Sequence, residues 1–318
     1  MAFNFLKRKK GDKYAVSSKS LSFSYKGQEV LKNFNVDIKN SSVTAIIGKS
    51  GSGKSTFLKL VSGVLSKSHS GKIRVLGLWK LFSKRKVGFV PQEGAFIPDL
   101  SIEDNIRVLG LNFGVREKIA LKRARHYMDL LRFDVDLNKK PSELSGGQKV
   151  RLNIVLSLLH NPEIVIMDEP FVGLDFMNRK LLWHFIHSLK KKQKSVVLTS
   201  HLLSEIEDNV DKVIILKKGR VYFHGDVEKL KDKLKISSVF EIKFSSLSKS
   251  NWDEVKRYCD YNKIRVLDAY GKYVMFAVEG EKTRSKLNRL FDKLNLDYKV
   301  LRFREPTLDE VFLKAEND

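Results

Sequence analysis

The sequence predicts an α/β protein built on a parallel sheet covered on both faces, followed by a smaller α+β domain. Three observations predict it. From Tyr14 to about Asp226, short apolar runs such as SVTAIIG (42–48), EIVIMDEP (163–170) and SVVLTSH (195–201) alternate with longer helical stretches. These runs are almost continuously apolar and stop abruptly at polar groups, as strands buried on both faces do. The first of them leads directly into GKSGSGKST, setting a glycine-rich loop between a strand and a helix.

Taken in order, LSFSYKGQ places Tyr25 at a strand end, SVTAIIG is a buried strand, and TFLKLVSGVL (56–65) is the helix after the glycine loop. KVGFVPQ (86–92) reads as another strand. Residues from about 100 to 160 are helix-rich and include REKIALKRARHYMDLLRF (116–133). KVIILKKGRVYFHGD (212–226) reads as a hairpin turning at Lys218-Gly219. After Lys235 the order becomes VFEIKF, NWDEVKRYCD, IRVLDAY, KYVMFAVE, KTRSKLNRLFDKL and YKVLRF. That is βαββαβ, the ferredoxin-like plan. TLDEVFLKA closes the chain with helical spacing. The expected division is a basic tail over 1–13, a main domain over 14–235 with a helical subdomain at about 93–160, and an accessory domain over 236–318.

The 318 residues are 42% hydrophobic, enough for buried cores, and no run approaches the roughly 18 apolar residues that span a bilayer. MAFNFLKRKK has no apolar core of a secretory signal. A single cysteine, Cys259, excludes an intrachain disulfide, suits a reducing compartment and reads as inert. The expectation is an intracellular protein. The net charge of +23 fits nucleic acid, an anionic membrane face or general lysine usage, and the lysines are spread along the chain. KRKK at 7–10 with Phe3, Phe5 and Leu6 suits membrane-surface attraction. KKKQK at 190–194 reads as a helix C-terminus carrying cations.

GKSGSGKST fits GxxxxGK[S/T] through Gly48, Gly53, Lys54 and Ser55. Glycines let successive backbone N–H groups converge on phosphate oxygens, Lys54 adds a full charge, and Ser55 offers a hydroxyl to Mg²⁺. Asp168-Glu169 close a strand at the carboxyl edge of the sheet. There an Asp can hold Mg²⁺ and a Glu can poise water for attack on a γ-phosphate. LSGGQ (144–148) looks like a second phosphate-binding turn before a helix. His184 and His187, three apart on a helix, could share a metal, but no cysteine or third histidine lies nearby in sequence.

The order GKSGSGKST, PQ at 91–92, LSGGQ, MDEP, GLD at 173–175 and His201 resembles the ATP-binding cassette (ABC) ATPases across residues of about 15–235. The resemblance implies a P-loop NTPase cassette with a RecA-like core and a helical subdomain. It implies two cassettes paired head to tail, each ATP lying between one phosphate loop and the other subunit's signature turn. It implies that Tyr25, with Phe23 as the substitute candidate, stacks on adenine. Gly48, Lys49, Ser50, Gly51, Ser52, Gly53, Lys54, Ser55 and Thr56 would wrap the triphosphate. Gln92 would reach Mg²⁺ and the attacking water, Asp168 would hold Mg²⁺ through water, and Glu169 would be the general base. His201 would contact the γ-phosphate, and Asp175 would link the two sites. Ser145, Gly146, Gly147 and Gln148 would bind the opposite subunit's ATP. Phe176 follows Asp175 where relatives very often have proline, which removes no ligand.

Within the resemblance, the short interval from Gly48 to Ser145 leaves no room for the coiled coil of DNA-compaction relatives, and one cassette is present where ribosome-associated relatives usually carry two. Glu169 and His201 argue against a non-hydrolysing sensor. The expectation is therefore the motor subunit of a transporter whose permease is a separate chain, on the cytoplasmic face of the membrane, without nucleic acid. FREPTLDEVFLKA (303–315) resembles the tail of cassettes in the multidrug, polysaccharide and lipid exporter branch. An importer with a ligand-sensing C-terminal domain is the alternative.

Overall fold

The computed structural model describes residues 13–65, 69–79, 86–201, 203–233, 238–308 and 310. The KRKK run at 7–10 and most of TLDEVFLKA lie outside them. By their internal contacts the residues fall into two compact units, one drawing on the chain to residue 202 and on Asp208–His224, the other on Leu203–Glu207 and the chain from Gly225.

The first unit opens with two long strands, β1 (Tyr14–Tyr25) and β2 (Gln28–Lys39), paired antiparallel. Then come β3 (Val43–Ile47), α1 (Lys54–Ser62), β4 (Ser70–Val75), β5 (Leu78–Trp79) and β6 (Val87–Val90). β2-β1-β4-β5 form one sheet. A helical stretch follows: α2 (Ile102–Asn112), α3 (Glu117–Leu130), a 3₁₀ turn at Pro141–Glu143 and α4 (Gly146–Ser157). β7 (Ile164–Met167), α5 (Phe176–Lys191), β8 (Ser195–Thr199), β9 (Lys212–Lys217) and β10 (Arg220–Gly225) complete it, and α6 (Leu203–Asn209), between β8 and β9 in the chain, gives its residues up to Glu207 to the second unit. The second sheet has the order β10-β9-β3-β8-β7-β6.

Within that sheet β3 pairs parallel with β8 and β9, and β7 pairs parallel with β6 and β8. Every residue of β3, β7 and β8 is buried, which explains their lack of polar alternation. One apolar core joins strand residues such as Phe34, Ile46 and Ile166 to Phe57 and Leu60 of α1. Phe34 and Phe57 pack with ring centroids 4.6 Å apart and planes tilted by 33°. Truncating either ring to alanine would cost about 3–5 kcal/mol.

Some boundaries differ from the sequence reading for simple reasons. β6 stops at Val90 because Pro91 has no N–H to continue a ladder. α1 starts at Lys54, so the last residues of the glycine motif are already its first turn. The β9–β10 hairpin turns at Lys218 and Gly219 with φ of 49° and 79°, the left-handed pair a two-residue turn requires. The KKKQK run does close α5, whose last turn carries Lys190 and Lys191. Three of its lysines also find individual partners. Lys190 pairs with Asp211 at 2.5 Å, Lys192 Nζ lies 2.9 Å from His126 Nε2, and Lys194 donates to Asn161 Oδ1 at 2.8 Å.

The second unit contains α7 (Val227–Lys233), β11 (Ser238–Phe244), α8 (Lys249–Tyr261), β12 (Arg265–Tyr270), β13 (Tyr273–Val278), α9 (Glu281–Lys293) and β14 (Tyr298–Arg304). Its antiparallel sheet has the order β12-β13-β11-β14. Phe240, Ile242 and Phe244 of β11 pack with Val255 and Cys259 of α8 and with Leu287 and Phe291 of α9 in one core. Cys259 is 1% exposed, and burial pushes its thiol up to about 12, so it holds no thiolate at neutral pH. Beyond β14, Glu310 accepts from Thr307 N–H at 2.8 Å and from the two terminal guanidinium nitrogens of Arg304, Nη2 and Nη1, at 2.7 and 2.9 Å. Leu308 N–H donates to Glu207 at 2.9 Å.

Candidate functional site

The parallel sheet sets the candidate site at the C-terminal ends of β3, β7 and β8, where an α/β sheet presents ligands to its loops. β3 leads into the 48–53 loop. A Cβ at Gly48 would lie 2.6 Å from the Leu216 carbonyl oxygen, a backbone atom that cannot yield, so the close approach requires glycine. Gly53 has φ of 104° as it enters α1, a conformation only glycine adopts freely. Lys49, Ser50 and Gly51 are exposed at the loop's rim, and Ser52 is buried.

Lys54 is only 7% exposed. Its Nζ donates to Gly48 O at 2.7 Å and Lys49 O at 3.2 Å, pinning the ammonium inside the loop. Burial pushes the Lys54 pKa down, against the opposing pull of the Glu169 and Asp168 carboxylates. Ser55 and Thr56 follow in the first helical turn, half-buried.

Asp168, 3% exposed, stands just past β7. Its Oδ1 accepts from Ser55 Oγ at 3.1 Å and from Thr199 Oγ1 at 2.8 Å. Thr199 Oγ1 in turn accepts from Glu169 N–H at 2.8 Å. Glu169 has φ of 52°, an uncommon left-handed conformation that takes its side chain off the line of the strand. His201 Nε2 lies 2.9 Å from Glu169 Oε1, with the histidine exposed and the glutamate side chain 9% exposed. Burial pushes the Glu169 carboxyl up; His201 and Lys54 oppose that and Asp168 adds to it, leaving the pKa above the usual carboxylate range. A buried carboxylate tuned upward beside a histidine can take a proton from water. Ser55 Oγ and Asp168 Oδ1 are adjacent hard oxygen donors, a set that fits Mg²⁺ completed by phosphate and water oxygens. Among the described residues no group of three or more His, Cys, Asp and Glu could hold a metal by itself. His187 Nε2 instead contacts Asn209 Oδ1 at 3.0 Å.

The LSGGQ turn begins α4. Ser145 is its N-cap: Oγ accepts from Gln148 N–H at 3.3 Å, and Gln148 Oε1 accepts from Ser145 N–H at 2.9 Å. The reciprocal pair leaves the backbone N–H groups of Gly146 and Gly147 at a helix N-terminus, a position suited to an anion. Gly147 lies beside the turn that starts α5, because a Cβ there would meet Leu174 at 3.5 Å and Asn178 at 3.8 Å. In that turn Asp175 caps α5, accepting from Asn178 N–H at 2.9 Å and from Asn178 Nδ2 at 2.8 Å. Arg151 of α4 donates to Asn178 Oδ1 and so ties the two helices together. Phe176 opens α5 without disturbing the Asp175 cap, and Lys180 Nζ sits 4.4 Å from its ring centroid.

Lys54, Ser55, Asp168, Glu169 and His201 are thus one cluster, whereas Ser145, Gly146, Gly147, Gln148 and Asp175 form a second group joined through Asn178. Gln92 is exposed in the loop after β6. Phe23 is 2% exposed and belongs to the core, whereas Tyr25 is 36% exposed and meets Phe23 edge-on at 4.8 Å. Thr199, Asn153 and Asn178 join these groups and carry no motif letter. Their only signal in the sequence is a polar side chain at the end of, or within, an apolar element.

Comparison with known proteins places this arrangement. The ABC transporter family profile matches residues 31–172. The linearmycin resistance ATP-binding protein LnrL of Bacillus subtilis is 27% identical over 94% of this chain and 97% of its own length. The energy-coupling factor transporter ATP-binding protein EcfA3 of Oenococcus oeni is 31% identical over 71% of this chain and 86% of its own. A dimeric structure of the ATP-binding cassette MJ0796, in a post-hydrolysis state bound to ADP and Pi, superposes with a TM-score of 0.59. It is 27% identical and covers 67% of this chain and 98% of that cassette. The fold, the phosphate loop and these likenesses agree: the chain belongs to the ABC transporter family, as an ATP-binding, ATP-hydrolysing subunit with the P-loop cassette fold.

Proposed function

We propose that the chain is the motor of a membrane exporter, working as a pair of cassettes on a separate permease at the cytoplasmic face of the membrane, with no nucleic-acid partner. The observation that carries the pairing is that the two groups form separate sets of contacts within one chain. Lys54, Ser55, Asp168, Glu169 and His201 cluster at the sheet edge, while Ser145 and Gln148 close on each other at the head of α4. Each ATP is then bound between the phosphate loop of one subunit and the Ser145–Gln148 turn of the other.

In this reading Tyr25 stacks on adenine, and residues Gly48 to Thr56 wrap the triphosphate with their N–H groups. Lys54 supplies a charge-assisted contact to the phosphates. Ser55 and Asp168 would hold Mg²⁺, with Gln92 as a further ligand that would also orient water. When bound, Mg²⁺ neutralises charge on the β- and γ-phosphates. Glu169 takes the proton of the attacking water, and burial, by raising its pKa, makes it a stronger base than an exposed carboxylate. His201 fixes the Glu169 carboxylate and meets the γ-phosphate. From the opposite subunit, Ser145 donates its hydroxyl and Gly146 and Gly147 offer backbone N–H groups, while Gln148 holds the turn closed on Ser145. Asp175, joined to α4 through Asn178, passes the state of one site to the other.

The domain division proposed is a cassette over 14–235 with a helical subdomain at about 93–160, then an accessory domain over 236–318 of ferredoxin-like plan, although by internal contacts the chain from Gly225, α7 included, falls with the second unit. The strand order β12-β13-β11-β14 and the shared core with α8 and α9 support that plan. In the helical segment Ile97, Val108 and Leu111 are exposed apolar side chains, at 39%, 44% and 77%, suited to a cytoplasmic helix of the permease. Export is favoured because the likeness to the resistance protein LnrL spans 94% of this chain, accessory residues included. The likeness to EcfA3 supports a second reading, an importer whose accessory domain senses ligand. Glu169→Gln tests the core of the proposal: ATP binding persists while hydrolysis falls by about 10²–10⁴. Unchanged hydrolysis would remove Glu169 from the reaction.

A further inference from the structure

Every other buried residue of α4 beyond Arg151 is apolar or, like Ser157, bonded back into its own helix; Asn153 alone reaches across to a loop. It is 5% exposed, and its amide is used in both directions. Nδ2 donates to Pro91 O at 2.8 Å, and Oδ1 accepts from Ala95 N–H at 3.1 Å. These two backbone groups flank Gln92, so one side chain closes the loop that carries it. We propose that Asn153 is the positioning residue of Gln92, holding the 91–95 loop on α4 so that Gln92 moves with the Ser145 end of that helix. The inference rests on the reading of Gln92 as a ligand of Mg²⁺ and water.

Two grips meet at the end of β6 and show where movement divides. Val90 O accepts from Asp168 N–H at 2.9 Å, which binds the strand end to the sheet. One residue later Pro91 O is held by Asn153, and Pro91 has no N–H to extend the sheet. A second buried asparagine completes the attachment. Asn105 of α2 accepts from Ile97 N–H at 2.7 Å and donates to Ile97 O, Leu100 O and Ser101 O at 3.0, 3.1 and 2.9 Å. The 91–101 segment is therefore fastened to two helices by side-chain amides, with the Val90–Pro91 link as its junction to the sheet. Ser145 and Asn153 lie eight residues apart, about 12 Å along one continuous helix. Engagement of Ser145 by a nucleotide on the other subunit is thereby transmitted to Gln92 of this one.

Asparagine is specific to the task. Aspartate of the same size keeps the acceptor for Ala95 N–H but has no donor for Pro91 O, and alanine keeps neither. The test is a double-mutant cycle on the full chain with Gln92→Ala and Asn153→Ala, reading ATP affinity, kcat, KM and the Mg²⁺ concentration for half-maximal hydrolysis. Asn153→Ala is expected to hold ATP affinity within about threefold, lower kcat about tenfold and raise the Mg²⁺ requirement. The double variant should be no worse than Gln92→Ala alone, since Asn153 acts through Gln92. Hydrogen exchange over 91–95 should accelerate while exchange in β7 and β8 does not, a local loosening that general destabilisation would not produce. If Asn153→Ala does not fold, Asn153→Asp carries the same readouts. Additive losses, or an impaired Gln92→Ala beside a normal Asn153 variant, would overturn the role of Asn153 alone. A Gln92→Ala variant with normal turnover and Mg²⁺ dependence would overturn the reading of Gln92, and this inference with it.

Discussion

Thr199 Oγ1 donates to Asp168 Oδ1 at 2.8 Å and accepts from Glu169 N–H at 2.8 Å, so one hydroxyl at the end of β8 locks both acidic residues beyond β7. Thr199 is fully buried, two residues before His201. Replacing it with valine keeps the volume, removes a donor from Asp168 and strands the Glu169 N–H. An unsatisfied buried donor costs about 1–3 kcal/mol. Thr199→Val is expected to lower thermal stability accordingly and to cut kcat about tenfold or more, with ATP affinity little changed. Calorimetry and steady-state hydrolysis check both.

Lys54 is held by two carbonyls of its own loop, which fixes the ammonium before any phosphate arrives. Lys54→Ala removes a charge-assisted hydrogen bond worth about 1.5–3 kcal/mol, equivalent to a weakening of roughly ten- to a hundredfold in ATP affinity. It also frees the loop, so the loss should lie at the upper end. Equilibrium binding of a fluorescent ATP analogue measures it.

The pH profile follows from Glu169. Burial lifts its pKa above the usual carboxylate range, and the base works only when deprotonated. Hydrolysis should therefore fall as pH drops through that raised pKa, giving an acid limb higher than an exposed glutamate would give. His201→Ala removes the first influence opposing the shift, so the limb should move to still higher pH. The pH dependence of kcat/KM in the two proteins is the measurement.

In the second unit, burial would push the Glu310 carboxyl up, but the Arg304 hydrogen bonds and Thr307 N–H outweigh it and hold the pKa below the usual range. A depressed carboxyl contributes stability that is present above its unfolded pKa and is lost as pH falls through the folded one. Arg304→Met should therefore speed exchange of the Thr307 and Leu308 amides about tenfold near neutral pH. The difference from the parent should close as pH falls through the Glu310 pKa of the folded parent. Exchange at three pH values checks the direction.

Much of the fold was legible because buried parallel strands announce themselves: SVTAIIG, EIVIM and SVVLT contain β3, β7 and β8, and their apolar runs reflect burial on both faces. The antiparallel sheet of β1, β2, β4 and β5 was not read as such. β1 and β2 run twelve residues each, but register shifts near Leu21 and Phe23, with Ser20 and Asn33 at positive φ, break the alternation that marks a strand. The same limit applies at the candidate site. Gly48, Lys54, Asp168 and Glu169 stand in motifs whose spacing carries chemistry. Thr199, Asn153 and Asn178 act through contacts with Asp168, Pro91 and Arg151, partners distant in sequence, so no local pattern marks them.

The central claim is that the Ser145 turn of one copy completes the Lys54 site of another. Light scattering of purified Glu169→Gln protein, with and without ATP and Mg²⁺, tests it most directly. A monomer that becomes a dimer only when both are added is the predicted result, and Ser145→Arg in the same background should abolish the shift. A dimer equally populated without ATP, or one formed equally well by the Ser145→Arg variant, would contradict the claim.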